Sequence, residues 1–278
     1  FHELYDSSRG ATKKLRSNNT SEEATQSDGV TDFTASGGGF SLGGGAGGNE
    51  TGKTYVAWNW KAGGATPKKT YKVVVVSDGG ANKYRFRNSA DSATFAQSAV
   101  TLDLQEGGTY IFDQSDSSNN NHPLRFSTTS NGTHAGGSIY TTGVTVVGTP
   151  SQSGAYTQIV VATDAPTLYY FCTQHSGMGG QVNTNTTFGS TNFDGSILSV
   201  PQVNTESGFS IVKYVGNGAN STDVSFGHSL EKTSAMVIIK NRTDAKRWQT
   251  WHKDLSADGT YTTKNILLNE PNGESAYS

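Results

Sequence analysis

Cys172, His175 and Met178 stand at the spacing C-x2-H-x2-M, directly after the apolar run Leu168-Tyr169-Tyr170-Phe171. A thiolate, an imidazole and a thioether on one short loop can converge on a single small ion. Soft sulfur donors favour copper, and two histidines with one cysteine and a weak axial methionine make the trigonal electron-transfer site. The second imidazole must come from elsewhere, and Asn121-His122-Pro123-Leu124 supplies it at the start of another apolar segment. The plainer alternative is a chance C-x2-H with Cys172 as a small buried side chain. Joint occurrence of His122, Cys172, His175 and Met178 favours the metal. His134, in Asn131-Gly132-Thr133-His134, reads as an exposed loop residue.

Other chemistry is not indicated at this loop. No acidic partner beside these residues suggests hydrolysis, and no catalytic role is read into the glycine-rich strings Gly39-Phe40-Ser41-Leu42-Gly43 and Gly47–Thr54, because a nucleophile elbow or a phosphate loop runs from a strand into a helix and the sequence carries no helical periodicity. His252-Lys253-Asp254 has the wrong spacing for a phosphodiesterase and reads as a charged turn. The chain therefore reads as no enzyme.

Strands must position the two ligand loops. A separation of about fifty residues between His122 and Cys172 suits a Greek-key sandwich with both loops at one end. The expected strands are Thr70–Val76, Tyr84–Arg87, Ala99–Leu104, Thr109–Gln114, Pro123–Ser127, Gly143–Val147, Ala155–Val161 and Thr167–Cys172. Asp78-Gly79-Gly80 and Glu106-Gly107-Gly108 supply turns between them.

Composition extends the all-β expectation to the whole chain. Gly is 34 of 278 residues, and Ser, Thr, Asn, Val and Tyr dominate the remainder. These are residues of short strands and tight turns, with no long helical periodicity. Hydrophobic residues are only 33% and charged ones 16%, with a net charge of −2, so no basic face for nucleic acid is indicated. No apolar run is long enough to span a membrane. The single cysteine excludes a disulfide framework and suits a reducing cytoplasm or a thiolate occupied by metal. A start at Phe1 and an uncapped end at Ser278 give the expectation of a fragment of a longer polypeptide.

The flanks read as sandwich pieces. Residues 1–64 end in the alternating strand Tyr55–Lys61, in which Val56, Trp58 and Trp60 share one face and read as core. After the linker Gly63–Pro67, residues 68–187 form the central domain. From 204 to 278 a third series is expected: Gly208–Val215, Thr222–His228, Ala235–Asn241, Arg247–His252 and Asn265–Asn269. Trp248 and Trp251 differ in parity, so at most one faces a core and the other is a candidate binding platform. Asp223, Asn217 and Asn241 read as turn residues rather than ligands. The two ends also echo each other. Leu4-Tyr5-Asp6 and Thr12–Asn18 resemble Thr250-Trp251-His252 and Thr263–Asn269. Tandem copies, each cut by the chain ends, are preferred over one sandwich interrupted by the middle domain.

At residues 70–187 the chain resembles the cupredoxin family, with the ligand spacing of its shortest-looped members. The resemblance implies a Greek-key sandwich with His122, Cys172, His175 and Met178 as copper ligands. The flanking strings Gly208-Phe209-Ser210-Ile211-Val212, Met236–Arg242, Trp251-His252-Lys253 and Tyr55–Trp58 resemble the concanavalin A-like (laminin-G-like) modules of marine-bacteriophage tail-fibre and virion proteins. That implies a structural or adhesive virion protein, made in the host cytoplasm. Its expected partners are other virion proteins or copies of itself in a homotrimer, and a host-surface glycan. The alternatives are a copper electron carrier and a secreted cellular adhesin. In a tethered structural domain, copper that pins two loops is favoured over copper that carries electrons.

Overall fold

The computed structural model describes residues 2–35, 38–45, 47–64, 66–92, 95–185, 189–218, 223–255, 264–271 and 275–276. Their regular structure is all β, apart from the 3-10 turns Ser117–Asn119 and Gly132–Ala135. Thr222 of the expected strand Thr222–His228, Thr263 of the string Thr263–Asn269, Ala65 of the linker and residues 186–187 of the expected central domain lie outside the described residues.

Two compact units divide the chain, Lys61–Ser229 and a second made of Phe1–Trp60 with Leu230–Ser278. The second contributes β1 (Glu3–Leu4), β2 (Lys13–Arg16), β3 (Ala24–Thr25), β4 (Val30–Ala35) and β5 (Gly39–Leu42) at its start. The central unit follows with β6 (Lys68–Asp78), β7 (Ala81–Asn88), β8 (Leu102–Gln105), β9 (Thr109–Asp113), β10 (Leu124–Ser127) and β11 (Val144–Val147). It continues through β12 (Tyr156–Val160), β13 (Leu168–Cys172), β14 (Gly180–Asn185), β15 (Ser199–Asn204) and β16 (Phe209–Tyr214). The chain then returns to the terminal unit with β17 (Met236–Ile239), β18 (Gln249–His252), β19 (Lys264–Leu267) and β20 (Ser275–Ala276).

In the central unit one sheet runs β10-β13-β14-β8 and another β11-β12-β9-β6-β7. Their inner faces share one core, because alternate residues of each strand are apolar. Tyr84 and Phe86 of β7, Tyr110 and Phe112 of β9, Leu124 and Phe126 of β10, and Leu168 and Tyr170 of β13 all bury there. Aromatic rings join the two layers. Phe112 meets Phe126 at 5.4 Å between centroids, and Phe86 meets Tyr170 at 5.0 Å, both edge-on. β15 and β16 pair with each other inside this unit, although the sequence groups β16 with the C-terminal segment.

The terminal unit joins the two chain ends. Arg242 donates two hydrogen bonds to the Glu23 carboxylate, at 2.8 and 2.9 Å, and Trp248 Nε1 donates to the Arg16 carbonyl at 2.9 Å.

Two expectations fail in these regions. Tyr55–Lys61 forms no strand, and Val56, Trp58 and Trp60 are 70, 73 and 63% exposed, so the tryptophan pair is not core. Alternation in sequence says which side chains share a face; a strand also needs a paired neighbour, and among the described strands none is paired with this segment. The described part of Thr222–His228 likewise reduces to the single bridge between Gly195 and Phe226.

Candidate metal centre

Strand parity brings the ligands together. In β13 Leu168 and Tyr170 point into the core, and Cys172, two further on, does the same at the strand's end. β10 lies antiparallel beside it, with Leu124 opposite Cys172. His122 shares the parity of Leu124 and therefore the inner face. One end of one sheet thus presents a thiol and an imidazole side by side. The chain turns after Cys172 and returns to β14 through a loop that places His175 next to both.

Cys172 Sγ lies 3.8 Å from Nδ1 of His122 and 3.8 Å from Nδ1 of His175. One donor atom from each of the three residues falls within 4.8 Å of the others. The imidazole rings sit 4.6 Å apart between centroids. Cys172 is fully buried, His122 nearly so, and His175 is exposed. Met178 is buried in the same core cluster as Cys172. Burial, and then the neighbouring His175, hold the His122 imidazole below its ordinary pKa, so its lone pair is available near neutrality.

The donor set fits a metal ion. Bonds of about 2.3 Å to sulfur and about 2.0 Å to nitrogen, opened to about 120°, set the two donors about 3.7 Å apart. A tetrahedral angle would draw them nearer, to about 3.5 Å. Both spacings lie within the reach of a single ion, and one thiolate with two imidazoles forms a set that suits a soft or borderline ion such as copper.

Buried polar groups fix the ligand backbone. Tyr84 Oη and Gln114 Nε2 both donate to the His122 carbonyl, at 2.8 and 2.9 Å. The His122 N–H donates to the Asn119 carbonyl at 2.8 Å, and Asn119 Nδ2 donates to Val73 O at 2.8 Å. Gln114 Oε1 accepts from Leu124 N at 3.2 Å. Gln114, Asn119 and Tyr84 are all buried, where an unpaired polar group would be costly. Burial, and then the adjacent Cys172, push the Tyr84 phenol far above its usual range, so it remains a neutral donor.

The cysteine loop is anchored from the Gly132–Ala135 turn. His134 Nε2 donates to the Cys172 carbonyl at 2.9 Å, and Asn131 Oδ1 accepts from Gly177 N at 2.7 Å. Lys83 Nζ donates to Gly177 O, and Tyr84 N to Met178 O at 3.0 Å. Gly179 has to be glycine, since a Cβ there would lie 1.7 Å from the Tyr170 carbonyl oxygen. His134 is exposed, as its loop setting suggests, and it also positions Cys172. Gln114, Asn119, Asn131 and Tyr84 carry no local sequence signal for these roles. Polar residues in turns are common, and their partners lie far along the chain.

The remaining sites lie elsewhere. Trp248 is buried, with its Nε1 already donating, and so offers no ring face to a ligand; Trp251 is half-buried in β18. Asn241 Oδ1 accepts from Thr243 N and Asp244 N, both at 2.9 Å, a turn cap. Asp223 and Asn217 are exposed.

A family model described as Domain of unknown function (DUF7483) matches residues 1–85 and 182–278. His122, Cys172, His175 and Met178 all lie between the two matched stretches. No curated protein matches. No solved structure matches.

Proposed function

This chain belongs to the DUF7483 family, and we propose, from the resemblance of its flanking strings to virion modules, that it is a non-enzymatic structural or adhesive protein of virion type. Copper held by His122, Cys172 and His175, with Met178 as the weak fourth donor, pins the ligand loops of its central unit.

The observation that carries the metal reading is the approach of both Nδ1 atoms to Cys172 Sγ at 3.8 Å. Around the cluster, the exposed loop residues are Gln174, His175, Ser176 and Gly177, a polar rim. An electron carrier needs an apolar docking face about its exposed ligand, and among the described residues no large exposed hydrophobic stands between 173 and 178. A polar rim supports the pin. The ion would join the β10 start to the β13 end, as a cross-link does. Concanavalin A-like modules on either side, and a cupredoxin-like arrangement of the central sandwich, are the finer folds this reading assigns.

Copper supplies a thiolate charge-transfer band when bound. Addition of copper(II) to the purified chain is expected to give an intense absorption near ~600 nm, absent from Cys172→Ser. Absence of the band, or retention of zinc alone, sinks the copper reading. The exposed edge of His175 favours a second reading, electron transfer. Rapid electron self-exchange by the loaded protein would select it over the pin.

A further inference from the structure

Lys14 of β2 is a buried lysine with two unlike neighbours. Its Nζ lies 2.6 Å from Oε1 of Gln26 and 3.2 Å from Oε1 of Glu3. The Lys14 and Glu3 side chains are only 8 and 11% exposed. Strand register brings the three together. Glu3 stands opposite Arg16, and Lys14 opposite Ala24. Lys14 shares the parity of Arg16, and Gln26 that of Ala24, so all three side chains take one face of the sheet. Gln26 continues the register just beyond β3, its N–H donating to the Thr12 carbonyl at 2.7 Å.

Further partners orient this group. Tyr5 Oη donates to Glu3 Oε2 at 3.0 Å, and Gln26 Nε2 donates to the Asp28 carboxylate. Burial, and then Glu3, push the Tyr5 phenol above its ordinary range, so it stays protonated as that donor. Backbone closes over the carboxylate at Gly47, where a Cβ would lie 2.8 Å from Glu3 Oε1.

The same three-strand meander recurs in β18-β19-β20, and there the pair is neutral. Gln249 stands opposite Leu267 and Asn265 opposite Ser275, the places of Glu3 and Lys14, and Asn265 Nδ2 donates to Gln249 Oε1. An amide pair satisfies these positions, so the meander itself does not require an amine beside a carboxylate. The first meander instead gathers a nucleophile, a proton acceptor and a carboxamide.

We propose that Lys14 and Gln26 join in an intramolecular amide bond, with Glu3 as the proton acceptor, which ties β2 covalently to the end of β3. Glu3 takes a proton from the Lys14 ammonium, and the neutral amine attacks Cδ of Gln26. As the N–C bond forms, the carbonyl π pair moves to Oε1. It returns as the Cδ–Nε2 bond breaks, and Nε2 takes a second proton from the amine and leaves as ammonia. The proton on Glu3 passes to that ammonia, so ammonium departs and the carboxylate is restored. Asp28 holds Nε2 in place until it leaves. A shielded amine kept in contact with its acceptor supplies the effective concentration that free lysine and glutamine lack. The bond needs no metal and adds a cross-link to a structural chain.

Tryptic peptide mass spectrometry on the full chain, denatured after purification, tests this. Cleavage after Arg16 separates Lys14 from Gln26 unless their side chains are joined. In the wild type the fragment holding Lys14 is expected to stay attached to fragment 17–53, with their summed mass short by one ammonia. Lys14→Arg keeps the cation against Glu3 and Gln26 but removes the amine, and is expected to give separate fragments. Glu3→Gln keeps both reacting groups and carries the residue type of the second meander. It is expected to form the link about 100-fold more slowly. The wild-type map decides the bond whether or not a variant folds. Separate fragments with Gln26 intact, or ammonia lost at another residue only, would overturn the bond. Linked fragments formed in Glu3→Gln at the wild-type rate would overturn the role of Glu3.

Discussion

Nδ1 of His122 lies 3.8 Å from Sγ of Cys172 across 50 positions of sequence, because Leu124, two residues after the histidine, sits opposite the cysteine in the ladder. The relationship between these two donors is set by backbone register, so a bound ion would find them already side by side. A preassembled site binds without paying for loop ordering, and bound copper stabilises the fold by mass action. At a free ion concentration about 100 times Kd, the gain is about 2.7 kcal/mol. Thermal unfolding with and without copper(II) should show a higher midpoint for the loaded wild type and none for Cys172→Ser. Equal shifts in both proteins would place the ion elsewhere.

Met178 tests the fourth donor. It is buried, and leucine conserves its volume, so Met178→Leu should cost less than about 1.5 kcal/mol. The thiolate band should persist, since Cys172 still binds. Because the axial ligand tunes a copper potential, loss of the thioether should shift the midpoint, read by redox titration. An unchanged potential would remove Met178 from the ligand set.

Gln114 should matter to the site without touching the metal. Gln114→Leu strips one of two donors from the His122 carbonyl and leaves the buried Leu124 N–H without its side-chain acceptor. An orphaned buried group costs about 1–3 kcal/mol. Urea unfolding of the metal-free protein should show that loss, and the copper signal should broaden as His122 gains freedom. A sharp, unshifted signal would mean that Tyr84 alone positions the ligand.

Glu23 gives the terminal unit an acid limit. Burial alone would raise its pKa, but Arg242, hydrogen-bonded and charge-paired to it, holds the carboxyl below its ordinary 4.5, with Arg9 adding to the pull. A depressed folded pKa contributes stability in full above the ordinary value and loses it as pH falls through the folded value. Arg242 is 43% exposed, so the discounted contribution is about 0.5–1 kcal/mol. Glu23→Gln should therefore lower the unfolding midpoint at pH 7 and converge on the wild type as the pH falls below 4.5 and through the folded value. A constant gap between the two proteins across that range would show that the carboxylate is not what stabilises the contact.

What could be read from the sequence follows the reach of the signal. The all-β class was legible because period-two alternation and turn residues act over a few positions. Cys172 and His122 were legible together because each stands at or just before a strand end with a fixed parity to its neighbours, and His175 because it follows Cys172 at a short step in the same loop. Gln114 and His134 were not, since a side chain that bonds a backbone 8 or 38 residues away leaves no periodic trace. Trp58 and Trp60 misled for the converse reason. Their alternation is real, but whether a strand acquires a partner is decided elsewhere in the chain.

The tryptophans make that distinction measurable. Trp248 is buried, and its indole N–H satisfies the Arg16 carbonyl across the two chain ends. Trp248→Ala should leave a cavity and strip a donor from the Arg16 carbonyl, with a loss of about 3–5 kcal/mol. Trp58, 73% exposed, should tolerate serine within about 0.5 kcal/mol. Soluble quenchers should reach Trp58 and Trp60 readily and Trp248 poorly, so Trp58→Ser should remove much of the quenchable fluorescence while Trp248→Phe leaves it. A large destabilisation from Trp58→Ser, with little quenching lost, would mean that Tyr55–Lys61 finds a partner strand in solution and that its alternating face is buried after all.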